Sequence, residues 1–169
     1  MNEEFPILEL QQHIHEMIAR HAPLEKTMCA VADWMGMLFP YASFSLMSYD
    51  PDNGTLSSIP GSWLSAKCSP RVHDLPVEPG NTPYAEAACS RTFSGTEDFR
   101  QSYHANPPSQ EGFRACWSYP LLSPEDELLG VVGVNYSTPK CLTQQDKRKL
   151  KQAAALIALT LLRDRETQN

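Results

Sequence analysis

Apolar positions along the chain follow two periods, and the switches between them mark out the elements. Over residues 4–20, Ile7, Leu10, Ile14 and Met17 recur at helical spacing. Pro23 suits the first turn of a second helix that runs to about Leu38 and carries Leu24, Met28, Val31, Met35 and Leu38 on its apolar side. Over residues 41–49 the period drops to two, with Phe44 and Leu46 on one face and Ser43, Ser45 and Met47 on the other. Asp50-Pro51-Asp52-Asn53-Gly54 follows; Asn and Gly both tolerate positive φ, which predicts a hairpin with a returning strand over residues 55–59.

The middle of the chain is less periodic. Residues 60–81 read as irregular, broken by prolines at 60, 70, 76 and 79, with a short helix around 62–67. Thr82 is placed to cap a helix opened by Pro83, with Glu86 near the first turn and a body over residues 84–92. Residues 93–99 are strand-like, and 100–112 form a polar connection containing Pro107-Pro108. The clearest strands cover 114–122 and 128–137, joined by a hairpin loop over 123–127. Thr143-Gln144-Gln145-Asp146 matches a capping box with Asp in place of Glu and opens the last helix, to about Glu166. That helix carries one apolar stripe of Leu150, Ala154, Ile157 and Leu161, and a neighbouring one of Ala155, Leu159 and Leu162. The second stripe calls for a further partner, either the N-terminal helix or another subunit. The element order predicts an α+β sandwich built on a mostly antiparallel sheet.

A chain of 169 residues fits a single domain. Its 41% hydrophobic and 20% charged residues are ordinary for a globular protein. The net charge of −6 disfavours nucleic acid as a partner. The one dense basic cluster, Lys147, Arg148, Lys149 and Lys151, reads as a solvated helix face. No apolar run is long enough to span a membrane and no export signal opens the chain, so the expected location is the cytoplasm. Five cysteines, Cys29, Cys68, Cys89, Cys116 and Cys141, are widely spaced and include no CxxC pair. Reduced, mostly buried thiols are expected rather than disulfides or a zinc site.

Several segments, in the right order, resemble one family. Ile18-Ala19-Arg20-His21-Ala22-Pro23-Leu24-Glu25 is similar to the entry of bacterial GAF domains, and Leu75-Pro76-Val77-Glu78-Pro79-Gly80 to their mid-domain loop. The run Gly112-Phe113-Arg114-Ala115-Cys116-Trp117-Ser118-Tyr119-Pro120-Leu121-Leu122-Ser123 looks like their late strand, and Leu129-Gly130-Val131-Val132-Gly133-Val134-Asn135-Tyr136 like the next. The resemblance spans about residues 15–165 of a single domain over 1–169. It implies a GAF-like, PAS-related fold: a six-stranded antiparallel sheet between helical layers, with the N- and C-terminal helices packed together on one face. It also implies a sensory or regulatory role, without enzyme activity, in which a small molecule binds or a homodimer forms. The relatives are bacterial and are linked to GGDEF, EAL or histidine-kinase output domains, which brings in cyclic-di-GMP signalling. One departure stands out: Pro83 and Tyr84 occupy a region that is usually small and open.

The candidate ligand-binding residues are Trp63, Tyr84, Asp98, His104, Cys116, Trp117 and Ser118. Apolar walls with a few polar points are what a small ligand needs, though the same residues also suit a filled core. Strand alternation separates Cys116 and Ser118 from Trp117, without saying which face meets the pocket. The candidate dimer residues are Ile7, Ile14, Ala155, Leu159 and Leu162. No cofactor is identified and no metal site is expected: His13 and His15 face different sides of a helix, and His73 and His104 lie in irregular segments. Two readings compete with a sensor. One is a ligand-free dimerisation module. The other is a free methionine sulfoxide reductase-like enzyme, which needs a reactive thiolate near the mid-domain loop, where Tyr84 stands instead.

Overall fold

The computed structural model describes residues 4–62, 68, 71–80, 82–101 and 112–168. The helix expected around 62–67 and most of the connection expected over 100–112 lie outside the described residues. Four helices are present: α1 (Glu4–Ala19), α2 (Leu24–Leu38), α3 (Pro83–Ser90) and α4 (Gln144–Gln168). The strands are β1 (Ser43–Asp50), β2 (Thr55–Ser58), β3 (Leu75–Pro76), β4 (Ser94–Thr96), β5 (Ala115–Leu122) and β6 (Leu128–Tyr136). They form one sheet in the order β3-β2-β1-β6-β5-β4, with every neighbouring pair antiparallel.

Local chemistry sets the boundaries. Pro23 caps α2 from outside rather than joining its first turn. At the first hairpin Gly54 adopts φ +65°, and the Asp50 carboxylate accepts from Asp52 N and Asn53 Nδ2 at 2.9 and 2.6 Å, holding the turn closed. Tyr41, expected in the first strand, has positive φ and is fully exposed, so β1 starts two residues later. At α4 the capping box forms in both directions: Asp146 N donates to Thr143 Oγ1 at 3.1 Å, and Thr143 N to Asp146 Oδ2 at 3.2 Å. Leu75–Pro76, expected as loop, adds a two-residue edge strand to β2. The strand expected over 93–99 shrinks to three residues, followed by a 3₁₀ turn over Phe99–Gln101.

The sheet separates two cores. On one side α1, α2 and α4 bury Ile14, Met28, Met35, Leu150 and Ile157 against Phe44, Leu46, Val132 and Val134. On the other, α3 packs with Met47, Leu56, Cys116 and Val131. Each fully buried side chain of this size contributes roughly 1.5–3 kcal/mol, and β6, buried on both faces along its whole length, is the hinge of both cores.

Candidate functional site

The α3 side of the sheet is built from rows of facing residues. Ser45 of β1 pairs with Gly133 of β6, and Gly133 pairs with Ser118 of β5. This row of three small residues makes a trough across the middle of the sheet. Ser43, Asn135 and Cys116 form the next row, and Met47, Val131 and Pro120 close the other side.

Tyr84 fills the trough. Thr82 caps α3 by accepting from Ala85 N at 3.1 Å, and Pro83 follows at the first helical position, so the first turn is well fixed. That turn lays the Tyr84 ring on Gly133, where an added Cβ would overlap Tyr84 Cε1. The ring is 4% exposed. Its hydroxyl donates to Asn135 Oδ1 at 2.7 Å; Asn135 Nδ2 donates to Ser45 Oγ at 3.0 Å; Ser45 Oγ donates back to Tyr84 Oη at 3.1 Å. Three buried polar groups thus satisfy one another in a closed ring, as a low-dielectric site requires. Burial pushes the Tyr84 hydroxyl well above its ordinary pKa. The fully buried Cys116 thiol, 3.6 Å from Ser118 Oγ, is pushed up to about 12 for the same reason.

The structure therefore brings together three of the expected residues, Tyr84, Cys116 and Ser118, on one face. Trp117 points to the opposite face, where its Nε1 donates to Lys140 O at 2.8 Å. Asp98 stands apart from the trough in a two-pronged pair with Arg114, at 2.9 and 2.6 Å. It shares an open depression with Gly95, Thr96, Glu97, Trp117 and Pro139. Trp63 and His104 lie outside the described residues. Ser45, Gly133 and Asn135 were absent from the expected set. Their signal was there as small or polar residues at period two in otherwise apolar strands, but it means little until strand register aligns them.

The fold and this filled trough set the frame for comparison with known proteins. A family model described as GAF domain matches residues 21–161. The chain belongs to the GAF domain family. Among curated proteins none matches it. The GAF domain of a phosphoenolpyruvate-protein phosphotransferase from Acinetobacter superposes with a TM-score of 0.75 at 12% identity, covering 96% of this chain and 97% of that one. A free methionine-R-sulfoxide reductase from Neisseria meningitidis, solved with its substrate, gives 0.72 at 14% identity, covering 95% and 91%. A fragment of a methyl-accepting chemotaxis protein gives 0.71 at 16%, covering 94% and 98%. At such identities the likeness is one of fold, and the GAF fold occurs both in regulatory proteins and in enzymes.

In this GAF domain the residues expected at a dimer interface fall into two groups. Ile14 is fully buried in the chain's own core and offers no surface to a second copy, because α1 packs on α2 and α4. Ile7 and Leu162 are half-buried against the same core, whereas Ala155 and Leu159 are exposed on α4. Leu8 adds a further exposed apolar side chain on α1, at 60%.

Thiol chemistry is poorly served. Burial pushes Cys68 up to about 12, with Cys29 and Asp33 adding to the shift. Cys89 is raised by burial and then by Glu86; Cys141 is raised by its contact with Glu97. Each of these groups is therefore held as a thiol rather than the thiolate a nucleophile needs. Among the described residues no group of His, Cys, Asp and Glu is arranged to hold a metal ion, and no helix is long and apolar enough to cross a membrane.

Proposed function

We propose that this GAF domain is a non-enzymatic regulatory module that works without a small-molecule ligand, its own Tyr84 occupying the space beneath α3. The observation that carries this reading is the closed ring of Tyr84, Asn135 and Ser45 over Gly133. A ligand entering there would have to break three buried hydrogen bonds and displace a packed aromatic ring, costs that a specific site avoids. The raised thiols speak against sulfoxide reduction.

Signalling then runs through the other face. Exposed Leu8 and Leu159 on α1 and α4 suit pairing with a second copy, and α4 is the natural path to a covalently linked output domain. The GGDEF, EAL or histidine-kinase class of output and cyclic-di-GMP signalling rest on the sequence resemblance, and a cytoplasmic location on the reading of the sequence for spans and signals. A second reading draws on the polar floor of the trough. Ser45, Ser118 and Asn135 would hold a small polar ligand if Tyr84 swung outward, so the ring would act as a latch that a ligand releases.

Native mass spectrometry on gently purified protein tests the proposal. A dimer of bare polypeptide mass is expected. A reproducible extra mass would overturn the ligand-free reading in favour of the latch, and a bare monomer would overturn pairing through the terminal helices.

A further inference from the structure

On the face away from Tyr84, basic and aromatic side chains converge where β5 passes beneath the start of α4. Phe93, just before β4, stacks on Tyr119 with ring centroids 4.5 Å apart, and Trp117 lies beyond on the same face of β5. Lys147 Nζ stands 5.9 Å from the ring centres of both Phe93 and Trp117, and Lys151 Nζ 5.7 Å from that of Phe93. All three rings are only half-buried. A groove continues from there along the edge of β5 that β4 leaves unpaired, lined by Tyr119 on this face, by Pro120 and Leu122, which alternate to the other, and by Lys151, Ala154 and Ala155 of α4.

Three features say what this groove takes. The ammonium groups of Lys147 and Lys151 rest on aromatic faces, and among the described residues neither forms an ion pair. Each is thus held beside a ring, with its charge still open to an anion. The two lysines are one helical turn apart, so their stems lie about 6 Å apart on α4, close to the spacing of alternate residues in an extended chain, roughly 6.6 Å. Tyr119 on β5 faces α4 across the groove, which suits an apolar residue between two acidic ones, since alternate side chains of an extended segment point opposite ways. Strand addition is not the mode: β4 pairs only with Cys116–Ser118, and Pro120 beyond it has no N–H to offer.

We propose that this groove docks an extended acidic segment of a partner protein, with carboxylates at alternate positions on Lys147 and Lys151 and an apolar side chain between them on Tyr119 and the edge of β5. A nucleic-acid strand fits less well, because two lysines on a chain of net charge −6 neutralise too few phosphates to hold it. The proposal concerns a different face from the Tyr84 trough and stands whether or not that trough takes a ligand.

The test is fluorescence anisotropy with a labelled dodecapeptide repeating Glu-Leu-Glu-Gly, beside a Lys-Leu-Lys-Gly counterpart and a single-stranded oligothymidylate of the same length. Saturable binding of the acidic peptide alone is expected, weakened about tenfold or more in Lys147→Gln/Lys151→Gln and unchanged in Arg20→Gln/Lys26→Gln, which removes the same charge from the other end of the helical layer. Lys151→Gln alone, at an exposed position, gives a smaller loss in the same direction and guards against misfolding of the double variant. No binding of the acidic peptide, equal loss in both double variants, or tighter binding of the oligonucleotide would each overturn the proposal.

Discussion

The hydroxyl of Tyr84, on the first turn of α3, donates a 2.7 Å hydrogen bond to Asn135 near the end of β6, tying helix to sheet across the floor of the trough. Tyr84→Phe keeps the ring but leaves Asn135 Oδ1 without that donor and Ser45 without that acceptor, and is expected to lower stability by roughly 1–3 kcal/mol. Tyr84→Ala also empties the trough and is expected to cost roughly 3–5 kcal/mol. Urea unfolding measures both. A Tyr84→Phe variant as stable as the parent would mean that the hydrogen bonds of the hydroxyl contribute no net stability.

Gly133 and Tyr84 are a matched pair, because the ring sits where a Cβ of residue 133 would project. Gly133→Ala should therefore displace the ring and destabilise by about 1–3 kcal/mol. In a Tyr84→Ala background the same change meets open space and should cost much less, giving a coupling of roughly 1 kcal/mol or more in a double-mutant cycle. Additive losses would show that Gly133 is needed for something other than the ring.

The helices and the long strands were legible because their signals are local: a 3.6-residue stripe on α4, alternation in β1, a capping box at Thr143 and Asn-Gly at the first turn. What escaped the sequence was non-local. Leu75–Pro76 is too short to show a period and becomes a strand only because β2 lies beside it. Ile14 reads as interface in the sequence because a helical stripe says that a face is covered and not by what; here the chain's own helices α2 and α4 cover α1. The trough could be half seen. Tyr84 drew notice as a bulky residue in a position expected to be open, but Ser45, Gly133 and Ser118 belong to three strands, and only register puts them in one row.

Alkaline unfolding should report on Tyr84. Its folded pKa is raised by burial, so the folded chain keeps the proton after the unfolded chain has lost it near pH 10. The contribution is complete below that pH and fades as pH climbs toward the folded value. Plotted as unfolding free energy against pH from 8 to 11, the parent should fall more steeply than Tyr84→Phe, which lacks the titrating group. Tyr136, pushed up to about 12 by burial and then by Asp146, adds the same slope to both proteins and cancels in the comparison. Parallel curves would contradict the burial assigned to the Tyr84 hydroxyl.

The acid limb belongs to Asp98. Hydrogen bonds from Arg114 first, and from Arg100 N, hold its carboxylate below the ordinary range. The pair ties the end of the short β4 segment to the entry of β5, alongside the bond from Phe99 N to Arg114 O at 2.7 Å. Because the folded pKa is lowered, the contribution is complete above the unfolded value near 3.9 and is lost as pH falls through the folded one. Urea midpoints taken from pH 6 down to pH 2 should therefore drop more for the parent than for Asp98→Asn, which starts lower and stays flatter. Added salt should narrow the gap between the two at pH 6, since the pair is only partly shielded from solvent. If Asp98→Asn instead tracks the parent at every pH, the carboxylate is not what fixes β4 to β5, and the backbone bonds between the two segments carry that role alone.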